Sequence, residues 1–244
     1  MTHESRGSGA GRAGFPVTRW SVVAAAADGD TAVAGEALER LCGDYWYPLY
    51  AFARRSGHPA DDAKDLTQGF FAVLLEQGWL GDVDRRKGKL RTFLLTAFRR
   101  FMAKEWRRMQ AEVRGGRVAM VSLEEDAESR YAVVRVEMPA EELYDRQWAL
   151  TLIERTLAAL ESEFAQAGKP EDFAVLKDTL MAERGGVDYA ALAGSLALNE
   201  GAARVAVHRL RKRFRTLFRG EVGRTLAAGE DIEEEMRYLA RVLA

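Results

Sequence analysis

Residues 189–215 read YAALAGSLALNEGAARVAVHRLRKRFR. A short apolar segment, a break of turn length and a longer segment follow one another, and the longer one carries basic residues around an apolar stripe. Asn199 is a favoured N-cap type, with a side chain that can accept from the first free N–H groups of a helix beginning at Glu200. From there Ala203, Val207, Leu210, Phe214 and Leu217 recur at steps of four, three, four and three. At about 100° per residue they share one face, and that face packs. Arg204, Val205, His208, Arg209 and Lys212 fall on the far side, while Arg211, Arg213 and Arg215 flank the stripe. Residues 204–219 hold seven Arg or Lys and no acid. A face that merely solvates a helix normally mixes signs. The stretch therefore predicts a helix-turn-helix whose second helix offers a cationic face to the major groove of DNA. Arg204, Val205, His208, Arg209 and Lys212 are its base-reading candidates; Arg211, Arg213 and Arg215 are expected on phosphates.

The rest of the chain sets the bounds. It has 244 residues, 48% of them apolar, which is room for one large core or two small ones, and two are expected. No apolar run approaches the length of about 18 residues that a membrane span needs. Met1 to Gly14 is rich in Gly, Ser and Arg and lacks the apolar segment of a signal peptide, so a cytoplasmic protein with no membrane partner is expected. The single Cys42 excludes a disulfide framework and reads as a structural thiol. His3, His58 and His208 are scattered without ligand spacing, so neither a metal nor another cofactor is expected. The adjacent carboxylates Asp61 and Asp62 diverge by about 100° on a helix and cannot converge on one substrate atom. The reading is of a non-enzymatic protein.

Net charge is only −1, yet the charges are sorted into blocks. Residues 85–117 hold twelve bases against two acids, and residues 122–145 hold eight acids against two bases. Two basic blocks thus flank an acidic connector, an arrangement that suits contact with a polyanion at two separated places. Three-to-four spacing dominates, and β-branched alternation is scarce outside Val133–Val136. The fold expected is all-α, with two small helical domains joined by an acidic linker, the second ending in the helix-turn-helix, and a C-terminal helical extension. The boundaries are a tail at 1–16, a first domain at 17–114, a linker at 115–139, a second domain at 140–220 and the extension at 221–244. Helices are expected near Arg19–Asp28, Ala32–Ser56, Ala60–Glu76, Leu90–Gln110, Glu141–Gln166, Pro170–Ala182, Tyr189–Leu196, Glu200–Arg219 and Asp231–Leu243. The last carries an apolar edge of Met236, Leu239, Val242 and Leu243 and is expected to pack back on a domain.

Three motifs in order resemble the extracytoplasmic-function (ECF) group of bacterial RNA polymerase sigma factors. Asp62 to Phe71 (DAKDLTQGFF) looks like that family's polymerase-binding helix, and Gly88 to Ala97 (GKLRTFLLTA) looks like the start of its promoter-melting segment. Glu200-Gly201 followed by His208 to Arg213 (HRLRKR) matches its recognition helix for the minus-thirty-five element. Thr18-Arg19-Trp20 and Tyr45 to Tyr50 (YWYPLY) further resemble a subgroup with an extended C-terminus. The resemblance implies a sigma factor that binds core RNA polymerase and directs promoter-specific transcription initiation through minus-ten and minus-thirty-five DNA. Asp62, Asp65, Gln68 and Phe71 would meet the large polymerase subunit. Arg86, Lys87, Lys89, Arg91, Arg99 and Arg100 would lie along the minus-ten strand, with Phe93 and Trp106 as stacking candidates and Phe98 and Phe101 as packing residues.

Departures from the family pattern carry expectations of their own. Lys64 stands where an acid is more usual, which thins the acidic docking face and points to a Ser/Thr kinase restoring negative charge at the neighbouring Thr67, or to an inhibitor protein, as a further partner. Ala197 stands where the turn often has glycine, which is tolerable only where the backbone keeps φ negative. Ala203 replaces a larger apolar residue. The competing readings are a stand-alone helix-turn-helix transcriptional regulator, which would need to dimerise, and an all-helical enzyme or scaffold whose basic faces hold some other anion.

Overall fold

A computed structural model describes residues 31–76, 88–111, 127–132, 138–183, 185–227 and 229–244, the side chains of 31–38, 40, 106 and 108–111 excepted. Among them the chain is all-α. Nine helices follow in order: α1 (Thr31–Arg55), α2 (Ala60–Glu76), α3 (Leu90–Ala111), α4 (Ala127–Ala132), α5 (Ala140–Gln166), α6 (Pro170–Leu176), α7 (Tyr189–Ser195), α8 (Glu200–Thr225) and α9 (Ile232–Leu243). A 3₁₀ turn at Lys177–Leu180 continues α6. The helix expected near Arg19–Asp28, the alternation at Val133–Val136 and the tail at 1–16 lie outside the described residues.

Most boundaries follow local chemistry. Pro170 occupies the first turn of α6, where its missing N–H has no helical partner to lose. Asp188, Asn199 and Asp231 cap α7, α8 and α9, each accepting from backbone N–H groups of the following turn. Replacing Asn199 by Ala removes the 2.8 Å bond from the Ala202 N–H. It is expected to lower stability by about 1 kcal/mol in urea denaturation. Helix α8 runs six residues beyond the expected end at Arg219. The extension has a reason in packing, since Phe218, Val222 and Thr225 are buried there.

The 27-residue α5 is the axis of the fold, packed against α1, α8 and α9. Two apolar cores meet along it. The larger gathers Tyr45, Leu49 and Tyr50 of α1, Phe70 and Leu74 of α2, Leu90, Leu94 and Phe98 of α3, and Tyr144, Trp148 and Leu152 of α5. Phe218 and Val222 of α8 and Leu239 and Val242 of α9 belong to the same cluster. The smaller gathers Leu160, Phe173, Leu176, Leu192, Ala193, Ala203, Val207 and Leu210. The division between cores thus runs through α5 rather than through the connector expected at 115–139, because the first half of α5 turns its aromatic residues to α1. Helix α9 packs back on α5 and α8, burying Leu239 and Val242.

The described part of the acidic connector, α4, is fastened to α1. Arg54 Nε and Nη2 donate to the Glu128 carboxylate at 3.0 and 2.7 Å, the Tyr50 hydroxyl donates to the same carboxylate, and Arg130 lies 3.8 Å from the Tyr47 ring centre. The Arg54 hydrogen bonds hold the Glu128 carboxyl below its ordinary pKa against the opposing effect of burial. A further tie spans α1 and α5, where Arg155 meets the buried Asp44 at 2.8 Å.

Candidate nucleic-acid interface

Helices α7 and α8 are joined by residues 196–199, and this junction decides what α8 can present. Asp188 Oδ1 accepts from the Ala190 and Ala191 N–H groups at 3.0 Å each and starts α7. The helix ends in a Schellman arrangement: Leu198 N–H donates to Ala193 O at 2.9 Å and Ala197 N–H to Gly194 O at 3.3 Å. Such an end places its linking residue in the left-handed region, and Ala197 has φ 52°, the one non-glycine residue with positive φ among those described. The condition under which alanine is readily tolerated there, a backbone that need not take positive φ, is therefore not met. A Cβ in that region costs roughly 1–2 kcal/mol, more than glycine adds through the flexibility of the unfolded chain. Ala197→Gly is accordingly expected to raise stability by about 0.5–1 kcal/mol, read as a higher denaturation midpoint at unchanged slope.

Ala203, Val207 and Leu210 are buried against α6 and α7, as the stripe requires. Arg204, Val205, His208, Arg209, Lys212 and Arg215 are exposed. Val205 leaves 47% of its surface in water, an apolar contact in the middle of the cationic face. Arg204 lies over the Tyr189 ring at 4.1 Å and reaches Glu200 at 3.7 Å, so α7 orients it. Among the described residues Arg209, Lys212, Arg215 and His208 have no side-chain partner. The two expected phosphate contacts beside them are engaged within the fold. Arg211 is half-buried and donates to Thr179 O at 2.6 and 3.2 Å and to Ala182 O at 3.2 Å. It is a strut that holds the segment before α7, not a free cation. Arg213 donates to the Glu163 carboxylate, with Nε at 2.8 Å, and depresses that carboxyl's pKa. This pair is nearly half exposed, so it is worth little and exchangeable.

On α3 the expected cations divide by face. Arg100 is exposed, and Arg99 is exposed while paired with Glu141 and stacked 5.2 Å from the Phe52 ring. Lys104 and Arg107 are exposed as well. Sequence reasoning counted these two in the basic block without assigning them to the site; their steps of four and seven from Arg100 place them on its face. Lys89 and Arg91 differ. Arg91 is buried, with Nε 3.0 Å from Asp145, and both Lys89 and Arg91 donate to the buried Glu235 of α9. Burial alone would lower the Arg91 pKa, and Glu235 and Asp145 raise it instead. In this arrangement neither lies open to a strand, which corrects their expected position. Phe98 and Phe101 are core residues as expected, in edge contact with Phe70 at 5.2 and 5.9 Å. Phe93 is half-buried against the same core. Arg86, Lys87 and the Trp106 side chain lie outside the described residues.

The expected docking helix α2 exposes Asp61 and Asp65 and half-exposes Asp62. Gln68 and Phe71 are instead buried, Phe71 against Phe70 at 5.6 Å, so an anchoring role at a partner surface does not fit this arrangement. Thr67 has no exposed surface, and its hydroxyl donates to Ala63 O at 2.7 Å. A kinase cannot reach it while α2 is seated. Cys42 is half-buried, and burial pushes its thiol up to about 11, which keeps it protonated and a poor nucleophile.

Among the described residues no helix is long and apolar enough to cross a membrane, and no cluster of His, Cys, Asp or Glu could hold a metal ion. No protein-family model, curated protein or solved structure matches the chain.

Proposed function

We propose that the protein is a sigma-type subunit that docks on core RNA polymerase and directs it to promoters, reading upstream duplex DNA through α8 and the opened strand through α3. One observation carries this reading. The exposed side of α8 sets Arg209, Lys212 and Arg215 side by side, with no acid or side-chain partner among the described residues, around the apolar Val205, on a helix seated by α6 and α7. Unpaired like charges on one helix repel, an arrangement that a polyanionic partner relieves. The exposed Arg99, Arg100, Lys104 and Arg107 of α3 supply a second cationic face, and Asp61, Asp62 and Asp65 an acidic one suited to a basic protein partner.

Arg209→Ala is expected to cost about 1–3 kcal/mol in binding to the preferred upstream element and to relax sequence choice there. Selection of binding sites from random duplexes with wild-type and variant protein measures both. A uniform loss over all sequences would make Arg209 a phosphate contact. Co-purification with core polymerase and run-off transcription from a selected promoter test the whole reading. Sequence-specific binding to a palindrome without polymerase, by a dimer, would replace it with a stand-alone regulator.

A further inference from the structure

We propose that α9 is a built-in clamp over an anion site at the start of α3, with the Glu235 carboxylate occupying the place of a nucleic-acid phosphate on Lys89 and Arg91. The inference rests on the proposed function for the identity of the competing anion. Its physical content lies in the side chains.

Glu235 has no exposed surface, and it faces two cations, Lys89 and Arg91, that belong to the start of α3 some 145 residues earlier in the chain. Around them the Tyr238 hydroxyl donates to Asp145, Asp145 accepts from Arg91 Nε at 3.0 Å, and the Arg91 guanidinium lies between the Trp148 and Tyr238 rings at 4.7 and 5.1 Å from their centres. Arg146 of α5 donates to Val242 O at 2.8 Å near the end of α9. The helix therefore bridges the first residues of α3 and the first third of α5. Apolar residues of similar volume in place of Glu235 and its two cations together would avoid the desolvation penalty of buried charges, so stability alone does not select this set of ion pairs. Specificity does: an acid seats α9 only where both cations are present, and it leaves them unavailable to any other anion.

A carboxylate and a phosphate make the same charge-assisted bonds to a guanidinium and an ammonium, so one position cannot hold both. When α9 is seated, Lys89 and Arg91 contribute nothing to nucleic-acid binding. When it is displaced, they open to another anion at the start of α3, Arg91 still paired with Asp145 and on the side of the helix turned away from Arg100 and Arg107. The apolar seat of Leu239 and Val242 sets how readily this happens, and the ion pairs set which anion wins.

The test uses the full-length chain and a short fluorescent single-stranded DNA, titrated over a range of salt. In Glu235→Gln, one to two more phosphates should be neutralised, Arg91 keeping its Asp145 partner, which steepens the log–log salt slope by about 0.7–1.4 and tightens binding several-fold at low salt. Adding Lys89→Ala and Arg91→Ala to Glu235→Gln should return the slope to the wild-type value. Leu239→Asn unseats α9 through its apolar face while keeping the carboxylate, and it should move the slope the same way should Glu235→Gln fold poorly. Hydrogen exchange over 232–243 reports whether α9 has opened. An opened α9 with an unchanged slope overturns the clamp, and so does a wild-type slope that Lys89→Ala and Arg91→Ala already reduce. Neither result touches the proposed function, which stands or falls on polymerase co-purification and on duplex binding through α8. Loss of those two with a normal clamp response would leave a gated anion-binding protein of another kind.

Discussion

Replacing Arg209, Lys212 and Arg215 together by alanine should weaken binding to the upstream duplex at least about a hundredfold at physiological salt, with no loss of folding stability. One base contact is worth about 1–3 kcal/mol, and each lost phosphate contact flattens the salt slope by about 0.9. The three side chains are exposed and have no partner among the described residues, so their removal breaks nothing inside the fold. Alanine is also the strongest helix former, and α8 gains by losing adjacent like charges. Circular dichroism and the thermal midpoint should stay at or above wild type while fluorescence anisotropy records the loss of affinity. Arg211→Ala is the informative contrast. Its guanidinium holds the Thr179 and Ala182 carbonyls, so its loss should appear in stability first, and the salt slope of whatever remains folded should not change. If the triple variant bound duplex as well as wild type, α8 would not be the reading surface.

How far these surfaces were legible in the amino-acid order depends on the range of the interactions that made them. The stripe of Ala203, Val207 and Leu210 is a local, periodic signal, and it is buried where periodicity places it. The helix bounds set by Asp188, Asn199 and Pro170 are equally local, because a cap acts within one turn. Arginines with long-range partners defeat the same reasoning. Arg211 and Arg209 look alike in a basic run, and only the approach of residues 179–182 makes one a strut and leaves the other free. Helical phase sets Arg211 beside the apolar stripe and Arg209 opposite it, but says nothing of the carbonyls that Arg211 meets. Lys89 and Arg91 fail for the same reason at greater distance, since their partner sits on α9.

The buried face of α2 shows a second limit. Periodicity places Asp61, Asp65 and Gln68 on one side, which is sound geometry, but a face is exposed only if nothing covers it, and Gln68 is covered. Thr67 stands directly beside Leu66 and Gln68 in a buried run, and its hydroxyl satisfies itself on the preceding turn. A polar residue that can back-bond to the carbonyl four residues earlier is free to be buried, so its polarity predicts no exposure. The turn at Ala197 shows a third. Its φ is set by the two backbone bonds of the helix end rather than by the residue, and alanine accepts the strain because the seat of α8 depends on that geometry.

Trp148→Ala should destabilise the protein by about 3–5 kcal/mol, the largest single effect expected outside the binding surfaces. The side chain is fully buried in α5, stacked on Tyr45 of α1 with ring centres 6.5 Å apart and carrying the Arg91 guanidinium on its other contact at 4.7 Å. Its removal leaves a cavity where α1, α5 and the start of α3 converge, and it exposes a buried cation to an empty space. For a chain of this length the thermal midpoint should fall by roughly 6–20 °C. Trp148→Phe separates the contributions. The indole Nε1 has no hydrogen-bond partner among the described residues, so phenylalanine removes an unsatisfied buried donor while keeping an aromatic face for Arg91. The smaller ring leaves a smaller void, and the net cost should be about 1 kcal/mol or less, the relieved donor offsetting part of the lost packing. A cost below about 1 kcal/mol for Trp148→Ala would mean that α1 and α5 do not share a core in solution. The two ends of the chain would then move independently, and the carboxylate of Glu235 would have no fixed pair of cations to hold.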